Sequence, residues 1–230
     1  MIKAVLFDLD NTLFSYDDAH AYAWDALCAY AEKELGMDRD RFIGCHVDMA
    51  RIVAQRLDAD CAALHDRTLR YQILLEENKL PLYHAMPMTK VYWDTFLDHA
   101  RVLPGVAECL PRLKEAGYVL GIGTDMTVDY QLMKLERLQL LQYMDFIVTS
   151  EEVNAEKPHE KLFRLCAEKA GVSPAECLFL GDNLRKDVLG AKNVGMEALW
   201  VCLDPEKAAQ HPEIETICHY DQLAHRLLGE

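Results

Sequence analysis

Apolar residues recur along this chain with two different periods, and the switch between them divides it. Residues 3–7 form a short apolar run that stops at Asp8-Leu9-Asp10-Asn11-Thr12. A run of this kind predicts a strand buried on both faces, as in parallel sheets. From Phe14 to about residue 100 nothing has strand texture. Ala19, Tyr22, Ala23, Ala26, Leu27 and Tyr30 follow helical spacing, with Asp17 able to cap that helix and Gly36 to end it. Ile43, Val47, Ala50, Ala54 and Leu57 mark the apolar face of a second helix. A third is expected from about residue 62 to 78, and a fourth from about 88 to 101, with Met88, Val91, Tyr92 and Phe96 on one face. Four helices without strands make a small bundle.

From Pro104 onward helix and strand alternate. Val106, Leu110 and Leu113 form a helix stripe closed by Gly117, and residues 119–123 read as a strand. A helix over 128–138 leads to a strand at 146–148. Pro158 suits the first turn of the next helix, which Gly171 ends. Ser173 and Glu176 have capping-box spacing before a strand at 178–180. A helix over 183–193, a fifth strand at 198–202 and a final helix from about 221 to 228 complete the pattern. Such alternation predicts an α/β fold, a doubly wound parallel sheet with right-handed crossovers. The expected division is a core of residues 1–14 and 101–230, with residues 15–100 as an inserted all-helical domain. Its two linkers, near Ser15 and Arg101, would flank the active-site end of the sheet.

Composition narrows the choice of partners. The chain has 230 residues, 51% of them hydrophobic, so a full core is available and general disorder is not expected. Its formal net charge of −14 argues against nucleic acid and anionic membranes as partners. A small anionic substrate stays possible, because one local cation can invert the field inside a pocket. The start of the chain lacks signal-peptide organisation and no apolar run reaches spanning length, so a cytoplasmic protein is expected. The eight cysteines lie far apart without a CxxC pair and read as reduced thiols. Nothing in the pattern selects between monomer and dimer.

Ligands of open α/β sheets sit beyond the carboxyl ends of the strands, which places Asp8 and Asp10 at the mouth of a site. Two carboxylates so close repel unless a cation or a shared proton settles the conflict. Taken alone, Asp8, Asp10 and Asn11 could equally be turn formers. Three later stretches decide between these readings: Gly123-Thr124-Asp125 after the second strand, Glu156-Lys157-Pro158 after the third, and Gly181-Asp182-Asn183-Leu184-Arg185-Lys186-Asp187 after the fourth.

In order and spacing these four stretches resemble the signature motifs of the haloacid dehalogenase (HAD) superfamily, with residues 15–100 as the helical insert known as a C1 cap. The opening motif and Glu151-Glu152-Val153 look most like its pyrimidine 5′-nucleotidase-like and sugar-phosphate phosphatase branch. The resemblance implies Mg²⁺-dependent hydrolysis of a small phosphomonoester through an aspartyl-phosphate. Asp8 would be the nucleophile and Asp10 the general acid/base. Asp8, Asp182 and the main-chain carbonyl of Asp10 would hold Mg²⁺, with Asp187 bound through water or to Lys157. Thr124, Lys157 and the main-chain N–H groups of Leu9 and Asp125 would bind the phosphoryl oxygens. Each chemical demand is real: slow phosphate-ester hydrolysis needs a nucleophile, a leaving-group acid and neutralised charge.

Ordinary roles compete at some of these positions. Asp187 could complement a helix dipole and Thr124 could be a turn hydroxyl, whereas Lys157 at a helix start meets the wrong end of the dipole. Arg185 and Lys186 read as solvated charges, and Tyr22, Tyr30, Tyr71, Tyr92 and Trp93 as bundle core. His46, His84 and His99 lack metal-ligand spacing. Tyr16, just past the first motif, is a candidate contact from the cap side. Three other activities remain open. A haloacid dehalogenase would usually lack Asp10, a phosphosugar mutase would keep both acids, and a non-catalytic phosphate-binding module would have lost one of Asp8, Asp10, Lys157 or Asp182.

Overall fold

The computed structural model describes residues 1–57 and 61–229. After strand β1 (Ala4–Phe7) come helices α1 (Tyr16–Leu35), α2 (Arg39–Arg56), α3 (Arg67–Glu77) and α4 (Ala85–His99). The chain then runs through α5 (Val106–Glu115), β2 (Val119–Thr124), α6 (Val128–Arg137), β3 (Phe146–Thr149), α7 (Ser150–Val153), α8 (Glu160–Ala170) and β4 (Cys177–Gly181). It ends with α9 (Gly190–Asn193), β5 (Glu197–Val201), α10 (Pro205–Ala209), β6 (Thr216–Ile217) and α11 (Tyr220–Leu228). The chain forms two units, one of Met1–Ser15 with Arg101–Glu230 and one of Tyr16–Ala100.

The first unit is a six-stranded, all-parallel sheet in the order β3-β2-β1-β4-β5-β6. β1 lies between β2 and β4, and all four of its residues are buried, which is why it reads as an unbroken apolar run. The register pairs Phe7 with both Ile122 and Leu180, so Asp8, Gly123 and Gly181 lie level at the carboxyl end of the sheet. Phe163, Phe179, Val188, Ala191 and Trp200 pack together in the layer that carries α8 and β4. A sixth strand, β6, was not expected, because two residues are too few to display a period.

Three local readings need correction. α8 begins at Glu160 with His159 as its N-cap, so Lys157 and Pro158 belong to the loop before it rather than to its first turn. The stretch after β4 is not one α-helix, since Leu184–Leu189 are wound as a π-helix before α9 begins. Lys186 is not simply solvated: its ammonium lies 2.8 Å from Asp125 Oδ2 and 3.1 Å from Glu156 Oε2. Arg185 is exposed, as expected.

The second unit contains α1 to α4, with a short 3₁₀ turn at Ala62–His65 ahead of α3. Asp38 and Asp66 cap α2 and α3 by accepting from Arg41 N and Leu69 N. The inward face of α2 is Phe42, Met49 and Val53, one position away from the expected stripe, while Ile43 and Val47 are exposed. Tyr71, Tyr92 and Trp93 are core, but Tyr22 is 56% exposed and stacks on His99 with ring centroids 4.0 Å apart. No helix among the described residues is long and apolar enough to cross a membrane.

Candidate active site

Every residue singled out from the four motifs belongs to the sheet unit, and most converge beyond the ends of β1, β2 and β4. Asp8 follows β1 and its N–H donates to Leu180 O of β4 at 2.8 Å. Asn11 takes a left-handed conformation (φ 58°), which turns the chain back after Asp10. Thr12 ties the first and last motifs together: its hydroxyl donates to Asp8 Oδ2 (3.3 Å) and accepts from Asp182 N (3.1 Å). Tyr220 from α11 donates to Thr12 O (2.6 Å), and Trp200 from β5 donates to Asp182 O (2.8 Å). The acidic turn is thus held from below by side chains of other elements.

Lys157 sits among the acids. Its ammonium is 2.5 Å from Asp8 Oδ1 and 2.7 Å from Asp187 Oδ1, and it is buried with both of them. Carboxylate oxygens of Asp8, Asp182 and Asp187 lie within 4.8 Å of one another. This crowding shows in the acidities. Burial, then the charges of Asp187 and Asp182, push the Asp8 carboxyl up to about 8 despite Lys157. Burial, then Asp187, push Asp182 up to about 6. Burial works against the Lys157 ammonium, but the surrounding acids outweigh it and hold its pKa well above the usual value.

Asp10 stands apart from that group. Both its carboxylate oxygens accept from Lys134 of α6, at 2.7 and 2.9 Å. Lys134 is fully buried on the inward face of α6 beside Gln131 and Leu135. The sequence reading missed it, because its partner lies 124 residues away; a lysine on the apolar face of an amphipathic helix was the available signal. Thr124 ends β2 and is buried. Its hydroxyl accepts from Gln131 Nε2 (2.7 Å) and donates to Asp125 O (3.3 Å). Asp125 accepts from Lys157 N at 2.9 Å and so fixes the loop that carries the ammonium. The side chain of Leu9 is buried.

Gly181 is required by this arrangement. A Cβ there would come within 2.3 Å of Asp187 Cγ. Gly181→Ala is therefore expected to displace Asp187 and cost about 1–3 kcal/mol by overpacking. Chemical denaturation checks this, and a variant as stable as wild type would show that Asp187 moves aside freely.

The haloacid dehalogenase-like hydrolase family matches residues 2–195, most of the chain. The chain belongs to that family. A ribulose-1,5-bisphosphate 5-phosphatase of Halopiger xanaduensis is 35% identical, with 93% of this chain and 89% of that protein covered. A glyceraldehyde 3-phosphate phosphatase of Pyrococcus furiosus is 38% identical over 86% of this chain and 80% of its own. The solved structure of a HAD phosphatase from Thermococcus onnurineus superposes with a TM-score of 0.74 at 29% identity, covering 100% of this chain and 99% of that one.

For this HAD-like hydrolase the acid cluster itself tests whether a divalent ion fits. Its three carboxylates offer only hard oxygen donors, which suit Mg²⁺. Asp187 Oδ1 is buried, meets Lys157 only as a charge contact and has no hydrogen bond. Burial and the neighbouring acids push the Asp8 carboxyl toward its protonated form, the poorer nucleophile. A cation among the acids would reverse that order and release the carboxylate. The residues present fit the ion.

Proposed function

We propose that this HAD-like hydrolase cleaves small phosphomonoesters, sugar phosphates among them, through an aspartyl-phosphate on Asp8, with Mg²⁺ held by Asp8, Asp182 and the main-chain carbonyl of Asp10. The observation that carries this reading is the separation of the two motif acids. Asp8 lies in the acid cluster against Lys157, whereas Asp10, two residues on, is held by Lys134. Two carboxylates in different surroundings suit two different roles. Bound Mg²⁺ would neutralise the acids and the phosphoryl charge. The relatives named for ribulose-bisphosphate and glyceraldehyde-phosphate phosphatases support a sugar phosphate over a nucleotide as substrate.

In the first step Asp8 Oδ attacks phosphorus and the ester P–O bond breaks. Asp10 gives its proton to the departing alkoxide. In the second step Asp10 takes a proton from water, the water oxygen attacks phosphorus, and the Asp8 carboxylate leaves. Lys157 neutralises the group in transfer, with Thr124 and the N–H groups of Leu9 and Asp125 on its oxygens. Asp187 fixes Lys157 and lies close enough to join the metal site. The helical unit of residues 16–100 would serve as the cap that selects substrate.

A panel of sugar phosphates and nucleoside monophosphates tests the reading by phosphate release. Turnover is expected with Mg²⁺, lost on EDTA and regained on returning the ion; no release from any of them would refute it. Asp10→Asn is expected to lower kcat/KM for an alkyl phosphate by about 10²–10⁴, the usual worth of general acid catalysis. The loss should be much smaller for p-nitrophenyl phosphate, whose phenolate departs without a proton. Equal losses on both esters would remove Asp10 from the acid role.

A further inference from the structure

Lys157 and Asp187 meet through their side chains, and a second connection between the same two stretches runs through the lysine beside Asp187. Asn183 sets the turn after β4. Its side chain accepts from Arg185 N (3.1 Å) and Lys186 N (2.9 Å), while its own N–H donates to Asp187 Oδ2 (2.9 Å). Leu184–Leu189 then wind as a π-helix, a winding frequent at functional sites. Asp187 reaches the Lys157 ammonium at 2.7 Å. Lys186 goes elsewhere: its ammonium lies 2.8 Å from Asp125 Oδ2 and 3.1 Å from Glu156 Oε2.

Those two acceptors bracket the main chain of Lys157. Glu156 is the residue before it, and Asp125 takes the Lys157 N–H on its other carboxylate oxygen at 2.9 Å. A closed ring results. From the Lys157 ammonium it passes to Asp187, along one peptide to Lys186, across to Asp125 and back to Lys157 N. Cutting the ring at Lys186 would leave Asp125 and Glu156 without the cation they share, and two neighbouring carboxylates repel. Glu156 is buried and the Asp125 side chain is 17% exposed, so water replaces that cation poorly. Asp125 also lies within the field of the Lys157 ammonium. A carboxylate released by Lys186 is therefore drawn off Lys157 N and toward Nζ.

We propose that Lys186 is a positioning residue: by holding Asp125 and Glu156 it fixes the Lys157 ammonium and the Asp125 N–H at the spacing that grips a phosphoryl group. The proposal rests on the phosphatase reading and adds to it a residue that acts only through others. An ion cluster that served stability alone makes a different prediction. Its loss would lower the melting temperature and leave the turnover of folded enzyme as it was.

Lys186→Met keeps the aliphatic stem and removes the charge. Assayed with Mg²⁺ and a sugar phosphate well below the melting temperature, it should lose about 10- to 100-fold in kcat/KM, the scale that an ångström's misplacement brings. Asp125→Asn should lose activity as well. Whichever way its amide turns, the NH₂ end meets one of two donors, Lys186 Nζ or Lys157 N. The double variant should recover about 5-fold or more over Lys186→Met, a coupling of the size that contacting residues show. With the ammonium gone, the amide oxygen accepts from Lys157 N and its NH₂ end is free to turn toward Glu156. Hydrogen exchange, which needs no turnover, should quicken in Lys186→Met by about 10-fold across residues 154–162, the worth of one hydrogen bond, and stay unchanged in β1 and β4. Should Lys186→Met not fold, Lys186→Gln, which keeps a donor, should show both effects to a smaller degree. Wild-type kcat/KM in the Lys186 variants, unchanged exchange around Lys157, or a double variant no better than Lys186→Met each overturns the proposal. Failure of the phosphatase reading looks different: wild type itself would release no phosphate, and the exchange comparison alone would decide whether Lys186 holds Lys157.

Discussion

Asp8→Asn is expected to lower kcat by about 10⁴-fold or more, the scale seen when a covalent nucleophile is removed, and to leave the fold intact. Its side chain lies beyond the end of β1, so no strand hydrogen bond depends on it. The same substitution should change how stability varies with pH in the metal-free protein. Burial, reinforced by Asp187 and Asp182, raises the Asp8 carboxyl from 3.8 to about 8. Between those values the folded state keeps a proton that the unfolded chain has released. Stability from that proton is therefore complete below about pH 4 and is lost as pH rises through about 8. Asparagine has no such proton. In EDTA the melting temperature of wild type should fall across this window, and that of Asp8→Asn should fall less. Asp182, raised to about 6, contributes a decline common to both that ends sooner. Adding Mg²⁺ at pH 8 should lift wild type more than the variant. An active Asp8→Asn enzyme, or two parallel melting curves, would remove the assignment.

What the sequence displayed and what it hid follow a physical line. Strands β1, β2, β4 and β5 were legible because burial leaves them largely apolar, and Asp8, Asp125 and Asp182 each follow a strand directly. The candidate site could therefore be read from local sequence. The helices of residues 16–100 were legible as elements, but the face of α2 was not. Gly44, Cys45 and His46 dilute its pattern, and Ile43 and Val47 attract an assignment that packing gives to Phe42, Met49 and Val53. The partners that hold the motif residues were hidden altogether. Lys134 meets Asp10 across 124 positions, Tyr220 meets Thr12 across 208, and Trp200 reaches Asp182 from the next strand. No local period encodes such pairs.

Lys157→Met is the substitution expected to cost the most stability. The ammonium contacts Asp8 and Asp187, and all three side chains are buried. Methionine can fill the aliphatic volume near Phe179, whose ring centroid lies 5.8 Å from Nζ, but it leaves two carboxylates facing one another without a counter-charge. Breaking a buried pair from one side costs about 3–5 kcal/mol. In EDTA near pH 7.5 the loss should be at the upper end, because the acids must either stay charged together or take up protons. Mg²⁺ should restore part of it, since an ion among the carboxylates replaces the missing charge and binds only the folded state. The rate should not recover with it: losing a charge aimed at the group in transfer costs about 10²–10³ in kcat. Lys134→Met supplies the control. It also deletes a fully buried ammonium, but its partner Asp10 is partly exposed and lies outside the acid cluster, so water can solvate what is left. The Lys134 variant should lose less stability and respond less to Mg²⁺. If the two variants lost equal stability and regained equal amounts with the ion, crowding of Asp8, Asp182 and Asp187 would not be what Lys157 relieves, and the metal site would have to be sought elsewhere in the sheet unit.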